Sequence, residues 1–353
     1  MKIEEINRLA EDGNSPVEIK SVEIKEDNIV VNGKIALPIE VVSNYYTKEN
    51  DIVIFDEDGN EIGCLCLKRS FDISELSDYR FVAYLIDVDY NNFLNTNYEY
   101  NDSYVVINEE FYDDYIQHYK DTSSLWGKFS HEILSMPVNR TEAKILAIKN
   151  INLPTKYHIE NCIRAINEPY AFERFLKLYH LLELIFDYDL VQDIKALNED
   201  IKDAGKLIME YKREDINRLK WIFEKRLKNL DQIVSKLNHI QNYMDKAYDI
   251  FYHYGKESNP IKKYDDFEEI IKLGGFEYSQ LKQHYAKNYG EEQHKQFIIN
   301  VAAYWIYRIR CCIAHNKIGE YIMESKDEEF VNSFAEPLLY EILIEGFRVK
   351  EYN

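Results

Sequence analysis

The sequence lacks a long hydrophobic run, although 46% of its 353 residues are hydrophobic. No run approaches the length of roughly 20 apolar residues that spans a membrane. The N-terminal stretch MKIEEINRLAEDGNSP is charged and contains no apolar signal region. We therefore expect a cytoplasmic protein that buries a substantial hydrophobic core and has no membrane partner.

Cysteine is scarce, and its spacing does not fit a zinc site. The five cysteines form no pattern of paired metal ligands. Cys311 and Cys312 are adjacent, so a helix would point their side chains in different directions. This usage is typical of a reducing cytosol. The chain also lacks a P-loop, a GxGxxG motif after a strand, an HExxH motif and a GxSxG motif. We expect no metal ion and no cofactor.

Basic residues are outnumbered, since 43 Lys and Arg face 63 Asp and Glu and give a net charge of −20. Residues 1–150 contain 14 basic and 29 acidic residues, and residues 151–353 contain 29 and 34. This balance argues against a broad contact with duplex DNA. Acids are absent from residues 293–319, where four cations occur: Lys295, Arg308, Arg310 and Lys317. A local basic patch can still bind a phosphodiester, because the field at the site matters more than the total charge.

The distribution of short apolar runs predicts an α+β protein. Residues 1–120 contain β-type runs separated by turns such as Asn32–Gly33. The predicted strands are Val17–Ile24, Asn28–Val31, Ile35–Val42, Ile52–Phe55, Ile62–Leu67, Phe81–Val88 and Tyr104–Ile107. Together they predict a small β-sandwich or barrel. Residues 121–154 are interpreted as a helical linker region, and residues 155–353 as an all-α helical bundle.

The predicted bundle contains three strongly periodic segments. Apolar residues, including Leu182 and Phe186, fall on one face of a helix over residues 168–197. Over residues 215–254, apolar residues recur in steps of three and four, which predicts one long helix with a coiled-coil-like seam. We expect this seam to pack within the bundle or between subunits. Glu328–Phe347 is predicted to form a last amphipathic helix.

The stretch Phe297–Lys317, FIINVAAYWIYRIRCCIAHNK, combines an apolar helical stripe with basic residues. Arg308, Arg310 and His315 lie where the stripe gives way to polar residues. On an ideal helix Arg310 and His315 are about 140° apart, whereas Arg308 is nearly in line with His315. Either the helix ends or kinks near His315 and lets Arg310 approach it, or Arg308 is its partner. A purely structural alternative is a buried histidine beside an arginine that pairs with an acid elsewhere.

The string RIRCCIAHNK, set on a long helix near the end of a helical unit, resembles the signature of HEPN-domain ribonucleases. That signature is an arginine, four to six residues, and a histidine. The string RFLKLYHLLELIFDYD is similar to a helix of related bacterial defence proteins, in which a glutamate precedes the motif. The resemblance covers about residues 155–353. The family commonly has Asn, Asp or His after the arginine, whereas this chain has Cys311, and a thiol does not replace an amide's hydrogen bonds. Either activity is reduced, or Arg308 is the motif arginine.

The resemblance implies a metal-independent endoribonuclease with Arg310 and His315 as catalytic residues. It also implies that Glu183 orients His315 or an arginine, while the structural alternative is a salt bridge from Glu183 to Arg308 or Arg310. A histidine can move the proton of the 2′-hydroxyl, and an arginine can stabilise the phosphorane oxygens. Attack by the 2′-hydroxyl makes RNA the substrate and a 2′,3′-cyclic phosphate the product.

Candidate substrate-binding residues surround the motif: Arg308, Asn316, Lys317 and Tyr307. Lys317 can contact a phosphate or stabilise the end of the helix through the helix dipole. Tyr307 can stack on a base or pack in the core. The expected partners follow from the resemblance. They are RNA, with tRNA as one candidate, and a second copy of the chain, because two HEPN units form one composite site.

The acidic residues 1–120 are expected to bind a trigger, of phage or other origin, that controls the helical part. This arrangement suggests an antiphage defence effector that acts by abortive infection. The alternative function is a non-catalytic HEPN-like scaffold or ligand-binding module in a defence complex, with Cys311 marking lost activity.

Overall fold

The chain folds into two compact units with different secondary structure. A computed structural model describes residues 1–13, 15–41, 51–93, 97–132, 148–197, 201–211, 214–254, 258–285, 289–314 and 321–349. The units are Met1–Leu134, which contains all the described strands, and Ser135–Asn353, whose described elements are helical. The predicted α+β class is confirmed.

Seven strands of the first unit form one antiparallel sheet. The strands of the unit are β1 (Val22–Lys25), β2 (Asn28–Val31), β3 (Lys34–Val41), β4 (Ile52–Phe55), β5 (Glu61–Cys66), β6 (Ser70–Asp72), β7 (Asn97–Glu99), β8 (Ser103–Asn108) and β9 (Phe129–Ser130). The sheet order is β1-β2-β3-β8-β5-β4, and β9 pairs with the end of β3. Strands β6 and β7 form a separate two-stranded ribbon.

The central strand β8 is buried on both faces, which explains its continuous apolar sequence. Tyr104 and Val106 face one core, which is covered by the helices α1 (Ile3–Asp12) and α2 (Asp78–Asp87). Val105 and Ile107 face a second core, built with aromatic residues that follow β8: Tyr112, Tyr115 and Phe129. The helical turns there include α3 (Tyr112–Asp114) and α4 (Ser123–Trp126). Among the described strands, the large sheet is therefore covered by helices and turns rather than by a second large sheet.

The predicted strand Phe81–Val88 is wrong, because these residues lie in α2 and at its C-terminal end. The hydroxyl of Ser77 caps the helix by accepting a hydrogen bond from the Arg80 backbone N–H at 3.1 Å. Residues 80–85 are all buried, so the segment has the continuous apolar pattern that is also typical of a buried strand. Arg80 is only 1% exposed and forms an ion pair with Asp51, which fixes the helix on the sheet.

The second unit is a helical bundle. Its helices are α5 (Lys156–Ile166), α6 (Ala171–Lys195), α7 (Ile201–Tyr211), α8 (Asp215–Arg226), α9 (Asp231–Asn238), α10 (Met244–Tyr254), α11 (Tyr264–Lys272), α12 (Tyr278–Tyr285), α13 (Glu291–Ala314), α14 (Glu328–Phe330) and α15 (Glu336–Gly346). The predicted helix over residues 168–197 is confirmed as α6. The predicted last helix over residues 328–347 is confirmed as α14 and α15, joined through a π-helical turn, Val331–Ala335.

The single long helix predicted over residues 215–254 is wrong, since the segment forms α8, α9, a 3-10 turn and α10. The first break follows Leu227, whose backbone is extended (φ −74°, ψ 114°). There the carboxylate of Glu345 accepts a hydrogen bond from the Asn229 backbone N–H at 3.0 Å. Glu345 therefore binds a backbone donor that a continuous helix would have used internally. This partner lies more than a hundred residues away in sequence, so the local periodicity does not contain it.

Helix α13 forms part of the core of the bundle. It packs against α6, α8 and α9. Among the described helices it is the one long and apolar enough to cross a membrane by composition, yet 67% of its most apolar window is buried inside the protein. This burial fits a core helix. Two basic residues near its C-terminal end lie at the edge of the core, and they define the candidate site.

Candidate functional site

Arg308 and Arg310 leave α13 on opposite sides. Helical residues that are two positions apart in sequence are about 200° apart around the helix axis. Arg308 is 6% exposed and belongs to the buried side of the helix. Arg310 is half-buried and lies on the side that faces α6. The helix therefore gives the two arginines different environments, although they are two residues apart in sequence.

Arg308 lies among three tyrosine rings. Its guanidinium carbon is 4.8 Å from the ring centre of Tyr254 in α10, 5.8 Å from that of Tyr304 and 5.3 Å from that of Tyr307. Cation–π contacts of a desolvated guanidinium are individually worth about 2 kcal/mol. Arg308 is therefore held as a buried packing residue, and its position does not suit direct contact with a large substrate.

Arg310 lies over the ring of Tyr179 in α6, with 5.5 Å from the guanidinium carbon to the ring centre. Tyr179 is 2% exposed. Burial raises the pKa of the Tyr179 phenol, and the positive charge of Arg310 opposes that rise. The tyrosine ring thus forms a rigid base under a guanidinium that is still partly open to solvent.

Glu183 lies one turn after Tyr179 on α6 and is exposed. Its negative charge raises the pKa of Tyr179, opposite to the effect of Arg310. The phenol of Tyr179 therefore lies within the field of both the predicted glutamate and the predicted arginine. The carboxylate of Glu183 faces solvent at the edge of a cleft.

That cleft has a volume of about 210 Å³ and opens between α6, α7 and α8. Its lining combines aromatic, acidic and apolar side chains with one arginine: Tyr179, Leu182, Glu183, Phe186, Asp187, Tyr211, Asp215, Arg218, Leu219 and Ile222. The Arg218 guanidinium is 5.4 Å from the ring centres of both Phe186 and Tyr211. A cleft with aromatic walls and carboxylates can accept a flat ring with hydrogen-bond donors, such as a nucleobase.

Tyr307 and Cys311 connect the surroundings of the two arginines. Burial raises the pKa of Tyr307 to about 12. Burial also raises the pKa of the Cys311 thiol, while a hydrogen bond with Tyr307 and the charges of Arg310 and Arg308 lower it. Cys311 is 5% exposed. It is therefore a packed neutral thiol between the two arginines.

The predicted catalytic His315 and the predicted substrate-binding Asn316 and Lys317 lie outside the described residues. On the two sides of that segment, the Met323 backbone N–H donates to the Cys312 carbonyl at 3.2 Å. The Tyr321 ring stacks on His253 of α10, with ring centres 5.4 Å apart. The described chain thus leaves α13 and returns to the same helix end, beside Arg308 and Tyr254.

The sequence reasoning missed three residues of this site: Tyr179, Asp215 and Tyr254. Tyr179 is four residues before Glu183, so its place on the same helical face could have been found by spacing. Asp215 is the first residue of α8, and its charge raises the pKa of both Tyr179 and Tyr307. Nothing in the local sequence of Tyr254 relates it to Arg308.

One group of metal-type ligands lies in the first unit. The donor atoms of Asp51, Cys64 and Cys66 are all within 4.8 Å of one another. Asp51 is already bound by the Arg80 guanidinium and by the Ser77 hydroxyl at 2.9 Å. Burial, together with Cys64, raises the pKa of the Cys66 thiol well above its ordinary value. Metal ligation needs thiolates and a free carboxylate, so this arrangement fits neutral thiols packed beside an ion pair.

A scan against protein-family models found no match, and searches of curated proteins and of solved structures found no significant match either.

Proposed function

We propose that the helical unit is a HEPN-like, metal-independent endoribonuclease with Arg310 as its phosphate-binding arginine. The observation that carries this proposal is the different placement of the two arginines. Arg308 is enclosed by three tyrosines, whereas Arg310 is partly open and lies beside a cleft. A guanidinium that stabilises a phosphorane must reach the substrate.

The proposed reaction needs a base, a cation and a bound ribose. His315 takes the proton of the 2′-hydroxyl, whose oxygen attacks the adjacent phosphorus. The bond from phosphorus to the 5′-oxygen of the next nucleotide breaks, and that oxygen receives the proton back from the His315 imidazolium. Arg310 stabilises the negative charge that develops on the phosphorane oxygens. The products are a 2′,3′-cyclic phosphate and a 5′-hydroxyl.

Arg310 is pre-positioned for this role by its contact with Tyr179. A guanidinium that lies on a fixed aromatic ring loses less conformational entropy when it binds a phosphate. Glu183 lines the adjacent cleft, where its carboxylate can orient an arginine, His315 or a hydrogen-bond donor of the substrate. Arg308 contributes through packing of the helix end, and Tyr307 through its contact with Arg308.

The proposal extends to assembly and biological role. Because each chain carries one such motif, a composite HEPN site needs a second copy, and we propose a homodimer. The acidic first unit would bind a trigger, and the nuclease would act in the cytoplasm as an abortive-infection effector against phage, with tRNA among the candidate substrates.

A non-catalytic HEPN-like scaffold is the second candidate, and one observation favours it. Three acids line the cleft beside Arg310: Glu183, Asp187 and Asp215. Carboxylates repel a phosphodiester, so they favour a cationic or neutral ligand. The packed thiol of Cys311 also favours the non-catalytic scaffold, because a thiol forms only weak hydrogen bonds with a substrate.

Incubation of the purified full chain with total RNA, with and without EDTA, separates the two functions. Cleavage that persists in EDTA, yields cyclic phosphate ends and is lost in Arg310→Ala and His315→Ala supports the nuclease. RNA that stays intact with the protein, together with unchanged growth of cells that express wild type or either variant, would falsify it and support the scaffold.

A further inference from the structure

A larger cavity lies at the opposite end of α8 from the candidate site. Its volume is about 520 Å³. The lining residues come from the end of α8, the end of α15 and the chain before α5: Asn150, Lys225, Arg226, Lys228, Glu345, Gly346, Arg348 and Val349. Asp215 and Arg226 are the first and last residues of α8, so about 16 Å of helix separates this cavity from the cleft beside Arg310.

The cavity wall carries four cations and one acid. Arg226 is fixed from behind, because its Nε donates to Asp189 at 2.7 Å and its Nη1 donates to the Gly346 carbonyl at 2.7 Å. Lys225 is fixed in the same way by Asp193, at 2.7 and 2.8 Å. Neither Asp189 nor Asp193 lines the cavity. The carboxylates therefore hold the cations in place from outside the wall.

The one acid of the wall, Glu345, already accepts hydrogen bonds from protein donors at both carboxylate oxygens. Its Oε1 accepts from the Asn229 backbone N–H at 3.0 Å, and its Oε2 accepts from Arg348 Nε at 2.7 Å. The carboxylate is only about a tenth exposed. Since its lone pairs are directed at protein donors, it presents little negative charge to a ligand in the cavity.

Two cations of the wall remain open to solvent. The Arg348 side chain lines the cavity, is 43% exposed and donates its Nε to Glu345. Lys228 is exposed, and within the described part of the chain its ammonium forms no ion pair or hydrogen bond. Both are donors that a bound anion can reach.

We propose that this cavity binds a small phosphorylated molecule. Its volume is within the range of small-ligand sites, and its converging guanidinium and ammonium groups are the donors that recognise phosphate oxygens. Lys228 and Arg348 contact the phosphate, while Arg226 and Lys225, paired with Asp189 and Asp193, fix the shape of the wall beside them. The proposal goes beyond the proposed nuclease and does not depend on it.

Calorimetric titration of the full chain with ADP, inorganic pyrophosphate and adenosine tests this site. We expect saturable binding of ADP and pyrophosphate and none of adenosine, which has no phosphate. Lys228→Glu and Arg348→Gln should each weaken ADP binding at least about tenfold, equal to about 1.4 kcal/mol. The matched control is Lys263→Glu, which reverses the charge of an exposed lysine outside the cavity wall and should leave the affinity unchanged.

Three results would overturn the proposal. The first is no saturable binding of ADP or pyrophosphate by the folded wild-type chain at millimolar concentration. The second is adenosine binding as tight as that of ADP. The third is equal weakening by Lys263→Glu and Lys228→Glu, which would mean a general effect of net charge. Thermal unfolding of each variant identifies any loss of folding, and Arg348→Gln supplies a second, neutral change if Lys228→Glu does not fold.

Discussion

The guanidinium of Arg310 lies on the ring of Tyr179, 5.5 Å from its centre, and so joins the end of α13 to the middle of α6. Arg308, on the other side of the same helix, is packed against Tyr254 of α10. One short segment thus holds a partly exposed arginine and a buried one.

We predict opposite phenotypes for the two arginine substitutions. Arg310→Ala should lower RNA cleavage about a hundredfold or more, because one stabilising donor of the transition state is lost, and should change stability little. Arg308→Ala should lower the free energy of unfolding by about 2 kcal/mol or more, because three tyrosine contacts are lost. Cleavage assays and urea unfolding of both variants measure this contrast. The assignment of Arg310 is wrong if Arg308→Ala abolishes cleavage in a chain that unfolds like wild type.

The ion pair between Arg174 and Glu336 should be important for the stability of the bundle. Arg174 Nε and Nη2 donate to the two carboxylate oxygens at 2.8 Å each, and Glu336 is nearly buried. Arg174→Ala leaves that carboxylate without its cation and should cost about 3 kcal/mol. The control is Lys206→Ala, which removes an exposed pair with Asp203 and should cost less than about 1 kcal/mol. Equal urea midpoints for the two variants would contradict this prediction.

Acid should destabilise the first unit through His131. Burial, with a smaller effect from Lys120, lowers its pKa from 6.5 to about 4. Above pH 6.5 the folded and unfolded chains both hold a neutral ring, so this group contributes no pH dependence. Between pH 6.5 and 4 the unfolded chain gains a proton that the folded chain does not, and stability falls.

The test for His131 is the unfolding midpoint of wild type and His131→Gln between pH 7.5 and 4.5. The wild-type midpoint should fall more steeply than that of the variant. Tyr115→Phe removes the hydroxyl that lies 2.8 Å from His131 Nε2. The pH dependence of its unfolding midpoint should be intermediate between those of wild type and His131→Gln. Parallel curves for wild type and His131→Gln would show that this histidine does not account for the acid sensitivity.

Two glycines should respond in opposite ways to alanine. Gly275 has a φ of +96°, and an added Cβ would lie 2.2 Å from Asn238 Oδ1. That oxygen accepts a hydrogen bond from the Phe276 backbone N–H at 2.7 Å, so it cannot move without loss of the bond. Gly275→Ala should therefore destabilise by about 1–3 kcal/mol. Gly205 lies within α7 with nothing within 4 Å of its Cβ position, and Gly205→Ala should stabilise by about 0.5–1 kcal/mol. A thermal unfolding midpoint of Gly275→Ala equal to or higher than that of Gly205→Ala would refute this contrast.

The parts of the fold that the sequence predicts well are those set by local patterns. Strand β8 is a short continuous apolar run and helix α6 has clear apolar periodicity, and both elements are present. Helix α2 has the composition of a buried strand, and the Ser77 cap at its start is a helix signal in the sequence. The break after α8 depends on Glu345, whose carboxylate also accepts a hydrogen bond from the Lys228 backbone N–H. Glu345 is 117 residues away from Lys228 in sequence. The residues near the break do not reveal a partner that is so distant in sequence, so the break cannot be predicted from them.

The candidate site also has one part that the sequence predicts and one part that depends on tertiary packing. The spacing of Arg308, Arg310 and His315 is a property of the sequence, and it draws attention to the end of α13. Which arginine is enclosed depends on Tyr254 and Tyr179, which belong to other helices. Side-chain environments are fixed by tertiary packing, so the sequence alone leaves both arginines as candidates.

The Arg174–Glu336 pair also determines when the bundle can close during protein synthesis. Arg174 Nη1 can bond the Glu168 and Pro169 carbonyls as soon as α6 forms, because those partners are neighbours in sequence. Its carboxylate partner is synthesised 162 residues later. At ribosomal rates of about 5–20 residues per second, the nascent chain spends roughly 8–30 seconds without that contact. If the helical unit is a nuclease as proposed, it can become active in the cell only after α15 has been translated.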